Sequence, residues 1–213
     1  MRDNHSSRSD SLRLDRPGRG WLIFLLTVWF GAMLAGASRA ADSGDAASAK
    51  RCFKCHAEDG LESGDGEPII AAQPFAYIVA ALDAFQTGAR VDKSMNKVTK
   101  SMTREEMEAS ARYYASLPNK SPRQPFDPKF AGKGAGIHAR LCEKCHVDGG
   151  RGFSMEKTPG PILAGQTEKY LRAQFAQFMS LDREMPSGMG IAMLELLPGD
   201  ANALLHYYIS RSP

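Results

Sequence analysis

Cysteine is scarce in this chain, with four in 213 residues. A small secreted scaffold stapled by several disulfides is thereby excluded. Charge of one sign is also lacking. The 27 Lys and Arg against 24 Asp and Glu leave a formal charge of +3, and no dense basic run occurs, so no nucleic-acid-binding surface is expected. No useful stretch alternates apolar and polar residues, as a half-buried strand would. After Ser38 no apolar run is long enough to span a bilayer. With 43% hydrophobic residues the chain is nevertheless globular rather than disordered.

The one long uncharged run lies near the beginning. Residues 1–20 are polar and carry Arg2, Arg8, Arg13, Arg16 and Arg19, and Trp21 to Ser38 then contains no charge. Ser38-Arg39-Ala40 follows, with small residues flanking Arg39 before a cut after Ala40. This is the three-part layout of a secretory signal peptide, so residues 1–40 are expected to direct export to the periplasm, with no membrane span left after cleavage. An uncleaved membrane anchor is the competing reading, because the run nearly reaches spanning length. The excess charge belongs to this segment: residues 41–213 hold 21 basic and 21 acidic side chains.

All four cysteines fall into two pentapeptides, Cys52-Phe53-Lys54-Cys55-His56 and Cys142-Glu143-Lys144-Cys145-His146. Both read C-x-x-C-H, the attachment motif of c-type haem. Cysteines three apart lie on one face of a helical turn, so both sulfurs reach the two vinyl groups on one haem edge and form thioethers. His56 and His146 are then held beneath the iron as proximal ligands. A redox dithiol or half a zinc site would leave the histidine after each second cysteine unexplained. Two covalently attached c-type haems are therefore expected, and haem attachment outside the cytoplasm agrees with export.

The rest of the chain repeats with the motifs. At a step of 93, Pro68, Ile69, Ala71, Gln73, Tyr77 and Phe85 fall on Pro161, Ile162, Ala164, Gln166, Tyr170 and Phe178, and at 94 Tyr113-Tyr114 falls on Tyr207-Tyr208. Two copies are too few for a solenoid, so this is a duplicated domain. The periodicity is helical: a short helix near residues 46–55 and 136–145, a middle helix near 75–85 and 168–178, and a last helix near 103–116 and 200–210. Thr103 with Glu106 forms a capping box, and Pro118 stops that helix. Residues 41–118 are read as the first domain, 119–130 as a proline-rich linker and 131–213 as the second domain.

An electron-transfer haem needs a second axial ligand, and methionine is the usual partner of the proximal histidine. In the first half Met95 is expected to lie in an irregular segment, whereas Met107 lies within an amphipathic helix and Met102 beside its cap. A step of 94 carries Met95 onto Met189 and Met102 onto Leu196, which cannot ligate. Met95 and Met189 are the expected distal ligands, with Met185 the competitor in the second half and core packing the alternative role for any methionine. His138 and His206 have no histidine partner in the first half and read as packing or surface residues. Lys93, Lys97 and Lys100 flank Met95, and there they form either a solvated loop or a patch that steers an acidic partner.

The motifs, the stretch Pro161-Ile162-Leu163-Ala164-Gly165-Gln166 and the helix end Ala111-Arg112-Tyr113-Tyr114-Ala115-Ser116 resemble the cytochrome c4 class of periplasmic diheme proteins, over residues 46 to 210. The run from Gly134 to His138 into the second motif, and Met185-x-x-x-Met189 before Leu194-Glu195-Leu196-Leu197, are similar to the cytochrome subunit of flavocytochrome c sulfide dehydrogenase. One departure is Ala72-Gln73-Pro74, where the ordinary cytochrome c4 pattern has Gly-Gln.

The resemblance implies an all-α fold of two tandem class I cytochrome c domains about a pseudo-twofold axis. It also implies His/Met ligation at both irons, and the carbonyls of Pro68 and Pro161 as acceptors for the proximal histidines. The implied function is electron transfer with no catalytic residue of its own. The implied donor is a flavin-containing subunit that oxidises sulfide, and the acceptor a small cytochrome or a terminal oxidase. The alternatives are a free diheme shuttle feeding a terminal oxidase, and a diheme enzyme such as a peroxidase or a thiosulfate-oxidising cytochrome.

Overall fold

Every regular element among the described residues is helical. The computed structural model describes residues 38–61, 64, 66–153 and 160–212. The predicted signal peptide, residues 1–40, lies outside them except for its last three residues.

The first half runs through α1 (Ser38–Ala49), a 3-10 turn (Lys50–Cys52), α2 (Phe53–His56), α3 (Phe75–Thr87), α4 (Lys93–Thr99) and α5 (Arg104–Ser116). The second runs through α6 (Pro128–Leu141), the short turn α7 (Val147–Gly150), α8 (Glu168–Met179), α9 (Ser187–Leu194) and α10 (Asp200–Ser210). Each half has its own apolar core. Ile78, Leu82, Met107, Ala111 and Tyr114 form the first, and Ile137, Leu171, Leu204, Tyr208 and Ile209 the second. The close approach of α6 to α10 depends on Gly134, where an added Cβ would stand 2.2 Å from the Ala203 carbonyl oxygen.

Caps set the helix boundaries. The Thr103–Glu106 capping box is formed at the start of α5. Two expectations change. α6 begins inside the stretch read as linker, because Asp127 accepts from the backbone N–H groups of Lys129 and Phe130, and Pro128 occupies a first-turn position that needs no donor. The segment around Met95 is a helix, not irregular chain, and Met189 likewise lies on a short helix. Asp92 caps α4 by accepting from Ser94 and Met95, but seven residues are too few for periodicity to reveal.

The two halves repeat their hydrogen bonds as well as their helices. Gly60 O accepts from Ile70 and Ala71 N–H, and Gly150 O accepts from Leu163 and Ala164 N–H. Ala72 N–H donates to Tyr114 O at 2.9 Å and Gly165 N–H to Tyr208 O at 2.8 Å. Gln73 and Gln166 then cross to the opposite half. Gln166 pairs with both backbone groups of Ile69, and Gln73 with both of Ile162.

The Ala72 departure now has a physical content. Gly165 has φ +73° and Ala72 is held at φ +58°, so both positions are left-handed and only the second half places a glycine there. A Cβ in that conformation costs about 1–2 kcal/mol, against about 0.5–1 kcal/mol for the added freedom of an unfolded glycine. Ala72→Gly is therefore expected to raise the melting temperature, measured by circular dichroism, and an unchanged or lower value would contradict strain at this position.

Candidate haem sites

The first motif begins in the 3-10 turn, which ends at Cys52, and α2 then carries Cys55 and His56. The second follows the end of α6, where Cys145 N–H and His146 N–H both donate back to Cys142 O, at 3.1 and 2.9 Å. Each sequence thus closes one tight turn that brings its cysteine pair and histidine together. None of the four cysteines is in a disulfide. Burial pushes the Cys52 thiol up to about 11 and raises Cys142, so both are held as thiols.

The histidines are prepared to ligate. His56 Nδ1 donates to the Pro68 carbonyl at 3.2 Å, and His146 Nδ1 to the Pro161 carbonyl at 2.9 Å, as the resemblance implied. That bond leaves Nε2 with the lone pair. Burial lowers both pKa values, with the proline carbonyls opposing it, and so favours the neutral imidazole that a metal requires. Gly160 leaves room for the second ring, since a Cβ there would lie 2.9 Å from His146 Cε1.

A further cluster escaped the sequence reading. Arg90, only 8% exposed, donates to Tyr170 Oη and to Gln174 Oε1, both at 2.9 Å, and Arg183 donates to the same Gln174 oxygen. Arg90 lies over the Phe85 ring at 4.4 Å and Arg183 over Phe178 at 4.5 Å. Against the effect of burial, the positive charges of Arg90 and Arg183 also act on the Tyr77 hydroxyl and lower its pKa. Among the described residues neither guanidinium has a carboxylate partner. Two cations sharing one neutral acceptor in a largely buried place call for an anion, and the propionates of a haem have that chemistry. The signal was present in the repeat, because Arg90 and Arg183 are 93 residues apart, like the tyrosines and phenylalanines they touch.

In the first half the methionines differ in burial, although Met95 too packs against the first core. Met107 and Met102 are buried in the first core, at 1% and 5% exposure. Met95 and Met189 are partly exposed and each is the third residue of its helix, α4 or α9. Met185 is also partly exposed and precedes α9. The remaining histidines have packing partners. His138 is buried between Tyr208 Oη, which it meets through Nδ1, and Glu143, to which Nε2 donates at 2.7 Å. His206 stacks on Phe130 and accepts from Asp127 N–H. Lys93, Lys97 and Lys100 are exposed along α4. Among the described residues no group of three His, Cys, Asp or Glu is gathered to hold a bare metal ion.

No family model matches this chain. Two curated relatives are thiosulfate dehydrogenase electron acceptors. The one from Stutzerimonas stutzeri is 30% identical over 145 residues, covering 60% of this chain and 62% of the relative. The one from Thiomonas intermedia is 31% identical over 148 residues, covering 65% of each. The chain thus spans slightly less than two thirds of the relatives it matches. Reduced cytochrome c4 from Pseudomonas stutzeri superposes with a TM-score of 0.69 at 21% identity, over 79% of this chain and 97% of that one.

The fold is therefore that of cytochrome c4, two tandem class I cytochrome domains. On this fold the two C-x-x-C-H turns define a diheme c-type cytochrome, with the haems covalently attached. Arg90→Leu removes the charged donor of the Tyr170 hydroxyl and leaves the Gln174 oxygen to Arg183 alone. It is expected to cost about 1.5–3 kcal/mol in chemical denaturation, and a loss below about 0.5 kcal/mol would remove the cluster from the forces holding the halves together.

Proposed function

We propose that this chain is a periplasmic electron carrier, reduced by a dehydrogenase that oxidises an inorganic sulfur compound and oxidised by a small cytochrome or a terminal oxidase. The observation that carries this reading is the pair of neutral, carbonyl-anchored histidines following duplicated cysteine pairs on a cytochrome c4 fold. When bound, the two haems supply one ferric–ferrous couple each. The protein's share is to hold the proximal rings through Pro68 and Pro161, to bury the attachment turns and to supply the distal sulfur ligands.

Met95 and Met189 are the distal ligands in this reading. Their matched places on α4 and α9 and their partial exposure support them over the core-buried Met102 and Met107. If Met95 and Met189 hold the second ligand positions of the haems, the chain would offer the irons no open site for a substrate and would work as a partner of an oxidoreductase. Met95→Ala and Met189→Ala should each abolish the iron–sulfur charge-transfer absorption of one haem, while Met185→Ala keeps both. Retention of both bands in the first two variants would overturn the assignment.

The names of the curated relatives favour a thiosulfate dehydrogenase as donor. The likeness of the second half to the cytochrome subunit of flavocytochrome c sulfide dehydrogenase supports a flavoprotein acting on sulfide instead. The leader of residues 1–40 supports export, and among the described residues no helix is long and apolar enough to cross a membrane. The lysines along α4 suit an acidic partner surface. Stopped-flow absorbance separates the donors. Rapid haem reduction is expected with thiosulfate plus its dehydrogenase, and the matching experiment uses sulfide plus the flavoprotein. Sustained oxidation of thiosulfate or sulfide by the chain alone, at turnover rates, would defeat this reading.

A further inference from the structure

The proximal hydrogen bonds do not end at the prolines. The carbonyl of Pro68 and the N–H of Ile69 belong to one peptide group. Its oxygen accepts from His56 Nδ1 at 3.2 Å, and its N–H donates to Gln166 Oε1 of the other half at 2.8 Å. The peptide between Pro161 and Ile162 is bonded in the same way. It accepts from His146 Nδ1 at 2.9 Å and donates to Gln73 Oε1 at 2.9 Å. Each glutamine is fixed by a second bond, Gln166 Nε2 to Ile69 O and Gln73 Nε2 to Ile162 O, both 2.9 Å. Both glutamines are only 5% exposed, so water does not compete for these groups.

We propose that Gln73 and Gln166 are positioning residues that act across the interface, each setting the electron-donating strength of the proximal histidine in the opposite half. A peptide whose N–H is engaged carries more negative charge on its oxygen, so hydrogen bonds in series strengthen one another. A stronger acceptor on Nδ1–H makes the imidazole a more basic ligand. A more basic ligand favours the ferric state and lowers the reduction potential. The peptide is the only intermediary, so the effect of each glutamine falls on the other half's haem.

The two relays are unequal for a reason visible in the chain. Gln166 Oε1 also accepts from Thr167 N–H at 2.9 Å, so it divides its charge between two donors. The equivalent residue after Gln73 is Pro74, which has no N–H, so Gln73 Oε1 is left to Ile162. The more committed glutamine stands behind the shorter proximal bond, 2.9 Å at His146 against 3.2 Å at His56.

The inference rests on the diheme reading, which a haem-to-protein ratio of two in the unmodified protein tests separately. The inference itself is tested by potentiometric titration of the full-length holoprotein, with each haem followed through its own methyl resonances in proton NMR. Gln166→Leu should raise the potential of the haem at Cys52 and Cys55 and leave the other unchanged. Gln73→Leu should raise the potential of the haem at Cys142 and Cys145, and by more.

Loosening of the interface alone would move both potentials together, and a purely local effect would move the haem of the mutated half. Either result, or no shift in a folded variant, overturns the proposal. Pro74→Thr guards against loss of folding, because it copies the residue that the second half already has at this place. It adds an N–H beside Gln73 Oε1 and should raise the second haem's potential alone. An unchanged value there would also count against the relay.

Discussion

A cross-half exchange of amides organises this molecule. The peptides after Pro68 and Pro161 must present a carbonyl to a buried histidine, and their N–H groups are thereby turned towards the other half. A buried N–H left without a partner costs about 1–3 kcal/mol. Each half lacks an acceptor of its own at this place and takes one from the glutamine of its twin. The proximal anchor and the union of the halves are consequently one construction. Neither half satisfies its own backbone at the proximal proline without the other.

Much of this was legible in the sequence. The C-x-x-C-H turns, the duplication and the middle and last helices all have strong local signals, and those helices begin and end within two residues of where the pattern places them. The Thr103 capping box was readable because two residues, Thr103 and Glu106, specify it within four positions. What could not be read has a common physical character. α4 and α9 are too short for a period to show, and α9 has small and apolar residues on every side. The Arg90–Arg183 cluster and the glutamine exchange join residues 80 to 97 positions apart, and spacing alone does not say which groups meet. Gln73 and Gln166 were visible as a repeated pair, but their role depends on the position of the other half. The left-handed backbone at Ala72 was hidden because alanine rarely adopts it, and only its repeat partner Gly165 gave it away.

Duplication has preserved the interior and released the exterior. The contacts at Gly60 and Gly150, at Tyr114 and Tyr208, and at Pro68 and Pro161 match bond for bond. The helices bearing Met95 and Met189 do not match on their outer sides. Lys97 on α4 and Lys100 just after it correspond, at a step of 94, to Ile191 and Leu194, which are 63% and 88% exposed. The second half also pairs a buried His138 with a half-exposed Glu143 where the first has Ser48 and Phe53. Two copies of one framework thus differ in the side chains they present, while the backbone contacts around the two proximal histidines remain matched.

The four bonds of the glutamine exchange join neutral groups. A carboxylate–ammonium seam weakens as salt screens it and fails when either partner titrates, but an amide paired with a peptide has no charge to screen and no proton to lose. This part of the seam is accordingly indifferent to the ionic strength and acidity of the surrounding medium. Changes of salt or pH around the protein then fall on its charged side chains and leave these four bonds, and the proximal peptides they hold, as they are.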